Sequence, residues 1–106
     1  MQKRIVYATT QNRQDAEMIG RALVEERLAA CVNIIDGTTS IYRWEGKIET
    51  SQEALLIAKT TKPLEERVIS RINELHVYDC PCIVTLPIEN GYQDFLDWIK
   101  ESVRKP

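Results

Sequence analysis

The sequence has little of what usually identifies a ligand. It contains one histidine, and its four glycines stand apart at Gly20, Gly37, Gly46 and Gly91. Because the glycines are isolated, the sequence has no glycine-rich phosphate loop. Its cysteines also do not form the paired Cys-x-x-Cys knuckles of structural zinc sites. It also lacks a Lys/Arg run, and the net charge is only −2. These absences argue against a nucleotide site of the usual kinds and against a dedicated nucleic-acid binder.

No long apolar run is present either. The first ten residues, MQKRIVYATT, enter a predicted strand after four residues and show no cleavage site of small residues. We therefore expect no signal peptide, no membrane span and a cytoplasmic location. The three cysteines are an odd number, which favours reduced thiols over a disulfide framework. A length of 106 residues predicts one domain over residues 1–106, with a core of its own.

The longest feature that is present is a predicted β-hairpin in the middle third of the chain. Its strand-forming residues occupy Ala29–Ile35, Thr38–Trp44 and Lys47–Lys59, and Glu45-Gly46 supplies the tight turn. At about 3.3 Å per residue each arm reaches ~45–50 Å, more than a small domain uses. The surplus must protrude, bend at a bulge formed by Asp36-Gly37, or pair with another chain.

The remaining pattern predicts two strands and three helices around this hairpin. Asn12 is the expected N-cap of the first helix, with Asp15 in its first turn, and Pro63 suits the first turn of the second. The elements are a strand at Lys3–Thr10, a helix ending near Arg27, a helix after Thr60-Thr61 with Leu64, Val68, Ile72 and Leu75 as its apolar stripe, a strand at Cys80–Ile88, and a helix at Tyr92–Val103 with Tyr92, Leu96, Ile99 and Val103 on one side. The order β-α-β-β-α-β plus one helix predicts an α+β, ferredoxin-like split βαβ fold.

Strand residues that are apolar on both sides predict an assembly. Leu55 and Ile57 point one way, while Ala54 and Leu56 point the other. Right-handed crossovers place both main helices on one face of the sheet, which leaves an apolar face on the order of several hundred Å² bare. A second subunit, packed sheet against sheet, is the simplest cover, so we expect a closed homo-oligomer.

Several motifs in order resemble the CutA family of divalent-cation tolerance proteins. They are Ala29-Ala30-Cys31-Val32-Asn33, Ser40-Ile41-Tyr42-Arg43-Trp44-Glu45-Gly46-Lys47, Lys59-Thr60-Thr61, Leu75-His76-Val77-Tyr78 with Pro81, and Asp94-Phe95-Leu96-Asp97-Trp98. The resemblance spans essentially the whole chain. It implies a ferredoxin-like subunit in a PII-like homotrimer, and a cytoplasmic role in tolerance of copper and other divalent metals.

This chain departs from the family pattern at three places. Val77 replaces the proline of the usual His-Pro-Tyr, Ala8 stands where some members carry a cysteine, and Leu75 stands where they carry a second histidine. Of the copper ligands proposed for those members, only His76 is present.

A metal hypothesis follows from His76, Cys80 and Cys82. On the predicted last strand the two cysteines are two residues apart and leave the same face, near a histidine that follows a helix. Imidazole and thiolate suit copper, zinc and similar ions, so the candidate cofactor is copper or another divalent metal, with none obligatory. The alternative is that both cysteines are small core residues on a buried strand, and Cys31 is expected to serve packing.

Aromatic and charged residues form a second hypothesis, an inter-subunit cleft. Such side chains offer apolar bodies with one donor each, suited to a small ligand. The alternative is that they cement the interface, with Trp44 anchoring the hairpin tip and Lys59 pairing with a carboxylate. The residues are Tyr42, Trp44, Lys59, Tyr78 and Trp98, with Glu49 and Glu53 on the third strand.

Signals for catalysis are weak. Cys82, His76 and Asp79 could supply a nucleophile, a base and an orienting acid, but nearness in sequence does not bring them together in space. We therefore expect a protein that is not an enzyme and that acts in metal tolerance. The alternatives are a PII-like sensor of a small molecule in clefts between subunits, or a scaffold for a partner protein.

Overall fold

A computed structural model describes residues 2–106. Its elements, in chain order, are β1 (Lys3–Thr10), α1 (Arg13–Glu25), β2 (Cys31–Trp44), β3 (Lys47–Thr61), a 3₁₀ turn (Lys62–Leu64), α2 (Glu65–Leu75), β4 (Ile83–Ile88) and α3 (Gln93–Ser102). This order confirms the ferredoxin-like split βαβ fold with an extra C-terminal helix. No helix among these residues combines the length and the apolar character needed to cross a bilayer.

The four strands form one antiparallel sheet in the order β2-β3-β1-β4. Alternate residues of β1 and β3 turn to one face, where Val6 lies opposite Ala58 and Ala8 opposite Leu56. α1 and α2 pack on this face, which we call the covered face. The core that they share with the sheet consists of Val6, Ala8, Ile19, Leu23, Leu28, Ala29, Leu56, Ala58, Leu64, Val68 and Ile72.

The predicted start of α1 is confirmed by its capping hydrogen bond. The Asn12 side chain accepts from the Asp15 backbone N–H at 2.8 Å, which satisfies one of the free donors of the first turn. The helix ends at Glu25, and Arg27 then adopts a φ of 58°, in the left-handed region that stops a helix.

The long hairpin is also confirmed. Glu45 and Gly46 have φ values of 49° and 80°, the two positive angles that a type I′ turn requires. The predicted bulge lies between Ile35 and Thr38, where Gly37 has a φ of 73°. Residues 41–50, the hairpin tip, are all exposed, and the molecule extends 44 Å along its longest axis. The tip therefore buries little of its side-chain surface within the subunit.

The other side of the sheet, which we call the open face, is apolar and only partly covered, and its most exposed residues lie on the two edge strands. Ile35 of β2 and Val84 and Leu86 of β4 are each 50% exposed. α3 lies against β3 and β1, and its Ile99 is fully buried outside the principal core. Side chains as large as these are usually covered, so the open face is the natural place for a neighbouring chain.

Several predicted element boundaries were wrong, that of the last strand by the largest margin. The last strand starts at Ile83, not at Cys80, because Pro81 carries no N–H for the ladder and the preceding loop bends away. Tyr92 is 75% exposed as the residue before α3, so it does not join an apolar stripe. Pro63 occupies the first helical turn, as predicted, but that turn is 3₁₀ (Lys62–Leu64) and leads directly into α2.

Candidate functional site

A cleft opens where the loop after α2 folds beside the outer half of the hairpin. Its volume is about 640 Å³, within the usual range of small-molecule sites. Alternate residues of a strand share a face, so Glu53 of β3 lies on the same face as Leu55 and Ile57. The cleft therefore lies at the hairpin end of the open face. We call it the hairpin cleft. It is lined by Thr9, Ser40, Ile41, Tyr42, Trp44, Glu53, Val77, Tyr78, Asp79, Cys80 and Cys82.

The inner wall of the hairpin cleft is a tyrosine–glutamate pair. The Tyr78 hydroxyl donates to Glu53 Oε2 at 2.7 Å, and Glu53 is only 7% exposed. Burial, and then the hydrogen bond to Glu53, raise the pKa of Tyr78, because both disfavour a phenolate. The phenol therefore stays protonated across the physiological range. Among residues 2–106, no ion pair involves Glu53.

His76 holds the loop in place. Its Nε2 lies 2.7 Å from the Thr9 carbonyl oxygen, and its Nδ1 accepts from the Tyr78 backbone N–H at 3.1 Å. Because a carbonyl only accepts, Nε2 carries the proton and the ring is the neutral tautomer. Its ring also packs 4.7 Å from that of Tyr78, measured between centroids. Nε2 carries a proton and the lone pair of Nδ1 accepts a hydrogen bond, so the ring has no free lone pair for a metal ion or for a proton being abstracted.

Cys80 and Cys82 belong to the loop and not to a strand. Both thiols are exposed, so the idea that they share a strand face and the alternative that they are core residues were both wrong. Within residues 2–106, no three His, Cys, Asp or Glu side chains group in a way that could hold a metal ion. With His76 engaged as well, these residues do not fit a preformed metal centre. The two thiols instead line the hairpin cleft.

Cys31 is half-buried at the start of β2, opposite Lys59 of β3. Burial raises the pKa of its thiol, which disfavours the reactive thiolate. This is the environment of a packing cysteine.

The predicted aromatic set is split between three places. Tyr42, Trp44 and Tyr78 meet in the hairpin cleft. Lys59 lies on the open face, where its Nζ donates to Asn33 Oδ1. The alternative prediction, that Lys59 pairs with a carboxylate, was therefore wrong. Trp98 lies on α3, stacked on Phe95 with 5.5 Å between ring centroids. Whether these residues line clefts between subunits stays a prediction.

The sequence pattern did not identify several residues that line the cleft, among them Thr9, Ser40 and Val77 from three separate segments. The bulge was the one signal that could have found some of them. Because two residues of β2, Asp36 and Gly37, oppose one residue of β3 there, Thr38, Ser40, Tyr42 and Trp44 move to the same face as Glu53. Regular alternation from Ile35 would have placed them on the opposite face.

The fold and the site thus define a class: a ferredoxin-like split βαβ subunit with an overlong hairpin, an open apolar sheet face and a cleft between hairpin and loop. Residues 4–102 match the family model of the CutA1 divalent ion tolerance protein. The chain is 48% identical to the divalent-cation tolerance protein CutA of Thermus thermophilus, over 92% of this chain and 95% of that one. It superimposes on the crystal structure of CutA1 from Oryza sativa with a TM-score of 0.97 at 38% identity, covering 100% of this chain and 97% of that one.

A further relative is the chloroplastic protein CutA of Arabidopsis thaliana, 43% identical over 94% of this chain. The chain spans 55% of the length of that relative. This protein belongs to the CutA1 family, which confirms the resemblance found in its sequence.

Proposed function

We propose that this protein acts, without catalysis, in tolerance of divalent metal ions in the cytoplasm, as a homotrimer. Membership of the family supports the metal role, since the Thermus thermophilus relative is named a divalent-cation tolerance protein. Three free thiols fit a reducing compartment. A role without catalysis is supported by His76, whose two nitrogens are engaged and which therefore makes a poor general base.

The open face is the observation that carries the assembly. It leaves Ile35, Val84 and Leu86 half exposed on one sheet, a state that a neighbouring subunit would relieve. The hairpin tip likewise reaches beyond its own subunit and offers strand edges for pairing.

Sedimentation equilibrium tests the assembly. We expect a species of three times the 12.2 kDa chain mass across the micromolar range. A well-folded species of 12.2 kDa at submicromolar concentration would overturn the proposal.

Copper contact, in this proposal, is weak and goes through the exposed thiols of Cys80 and Cys82. Thiolates are soft ligands that suit Cu(I), while the engaged imidazole of His76 contributes nothing. Calorimetric titration of the protein with Cu(I), Cu(II) and Zn(II) tests this. Uptake should be unchanged in His76→Ala and lost in the double variant Cys80→Ser/Cys82→Ser, and the reverse result would contradict it.

The hairpin cleft favours a second role, sensing of a small molecule. Its 640 Å³ lie beside three aromatic side chains and a buried carboxylate, a combination typical of ligand sites. Equilibrium dialysis of the protein against a cell metabolite extract, followed by mass spectrometry, tests this role. We expect at least one compound to be enriched by the unmodified protein and not by Trp44→Ala. Equal enrichment by both proteins would contradict the proposal.

A further inference from the structure

We propose that Val103 and Arg104 form a strap that fastens α3 to the end of α1, and that α3 opens from the sheet as one unit when the strap is released. The strap consists of hydrogen bonds and packing within one subunit. Neither residue lines the hairpin cleft, so the strap is independent of the metal and sensing roles proposed above.

α3 has few means of its own to stay in place. Its 10 residues fall below the length at which an isolated helix is stable in water. Within residues 2–106, the Tyr92 side chain makes no capping hydrogen bond, and Ile99 is the only fully buried residue of α3. Ile99 also lies outside the principal core. A helix with so little buried surface belongs to the part of a fold that opens most readily.

Two arginines hold the ends of α1 and α3 to each other. Arg104 donates from Nε and Nη2 to the Glu26 carbonyl at 2.9 and 2.7 Å, and its backbone N–H donates to the Arg27 carbonyl at 2.8 Å. In the opposite direction, Nη2 of Arg27 donates to the Glu101 carbonyl at 3.2 Å. The last carbonyls of a helix have no partner within it and form its negative dipole end, so the two guanidinium groups stabilise both helix ends.

α1 supplies no cation for its own end. Its last turn holds no basic residue, and the guanidinium of Arg27 is engaged with α3. The cation at the Glu26 carbonyl therefore comes from Arg104, 78 positions further along the chain. Glu26 is itself tied to α2, because Nε and Nη2 of Arg71 donate to its carboxylate at 2.9–3.1 Å. The strap is thus fastened to a residue that already joins two helices.

Val103 is the apolar part of the strap. It is partly buried and packs against the principal core, whereas Ile99 is buried outside that core. The two residues therefore hold α3 at two separate apolar sites, and Arg104 fixes the chain just beyond the second. Opening of α3 exposes Ile99 and the strand surface beneath it.

Native-state hydrogen exchange of the full chain tests whether α3 is a separate unit. The amides of residues 97–102 should share one opening constant, about tenfold or more above that of the Val6 and Leu56 amides in β1 and β3. Low concentrations of denaturant should raise it less steeply than that of the strands, because opening α3 exposes less surface than unfolding the subunit. Equal constants with equal denaturant dependence would overturn the proposal, since α3 would then open only with the whole subunit.

Arg104→Met then tests the strap itself. Methionine keeps an apolar stem and removes the charge and the side-chain donors, so the opening constant of residues 97–102 should rise about tenfold. Lys105→Met is the matched control, since Lys105 is an exposed neighbour that takes no part in these hydrogen bonds, and it should leave the constant unchanged. An unchanged constant in Arg104→Met, or equal increases in both variants, would contradict the strap.

Arg104→Lys keeps the proposal testable if the methionine variant does not fold. Lysine retains the charge and a donor but replaces the planar fork by a point charge, so the opening constant should lie between those of the unmodified protein and Arg104→Met. If Arg104→Met does not fold, a constant above that of the unmodified protein supports the strap. A constant equal to that of the unmodified protein would contradict it.

Discussion

The two faces of the sheet have similar sequences and opposite environments. On the covered face Val6, Ala8 and Leu56 are completely buried beneath α1 and α2. On the open face Val84 and Leu86 are half exposed, although they are as apolar as the residues behind them. Apolar character on a strand therefore predicts that a residue will be covered, and it does not say whether a helix of the same chain or another chain covers it.

The largest expected effect lies on the covered face. Leu56→Ala removes a fully buried side chain between the sheet and both helices, so the free energy of unfolding should fall by about 2–5 kcal/mol. Urea denaturation followed by circular dichroism measures it. A loss below about 1 kcal/mol would contradict the conclusion that the covered face is tightly packed while the open face is not.

The open face should respond through assembly instead of folding. Leu86→Asp places a charge on a half-exposed apolar position and should dissociate the proposed oligomer, with a cost of about 1–3 kcal/mol of association free energy per subunit. Sedimentation velocity measures the change. The volume-conserving Leu86→Met should keep the assembly, and dissociation by both variants would show that packing shape alone controls it.

An intermediate effect is expected from the loop that borders the hairpin cleft. His76→Ala removes the hydrogen bonds to the Thr9 carbonyl and from the Tyr78 N–H, so stability should fall by about 1–3 kcal/mol. Thermal and urea unfolding measure it. His76→Gln retains a donor that can reach the Thr9 carbonyl and should recover part of the loss. A variant as stable as the unmodified protein would remove the structural role of this histidine.

The smallest effect at neutral pH is expected from Tyr78→Phe, about 0.5–1.5 kcal/mol for one hydrogen bond. Its pH dependence is more informative. Because folding raises the pKa of Tyr78, its contribution is complete below the unfolded pKa of about 10 and is lost as pH rises from there towards the folded value. The difference in unfolding free energy between the two proteins should therefore shrink above about pH 10. A constant difference would contradict the raised pKa.

Much of the fold could be predicted because its signals are local. Asn12 caps α1, the Glu45-Gly46 turn accepts two positive φ angles, and Gly37 accepts the bulge. The candidate site was predicted only in part. Tyr42, Trp44, Tyr78 and Glu53 were identified by residue type, but the bulge that puts Tyr42 and Trp44 on the face of Glu53 changes strand register over a long pairing.

The metal hypothesis shows the limit of residue type most clearly. A histidine near two cysteines looks like a ligand set in the sequence, but the partners that occupy His76 come from β1 and from the loop itself, and the loop leaves both thiols exposed. Hydrogen bonds to residues distant in sequence decide whether a lone pair is free.

The sequence by itself determined the order of elements, the overlong hairpin and the two-sided apolar sheet, because periodicity, capping and turn chemistry act within a few residues. Only the tertiary structure decided that His76 is a structural residue, that Lys59 and Trp98 lie apart from the cleft, and that Glu53 is buried without a cationic partner among residues 2–106. Those outcomes depend on which segments fold against one another, and the free energy of such packing resides in long-range contacts that no local pattern records.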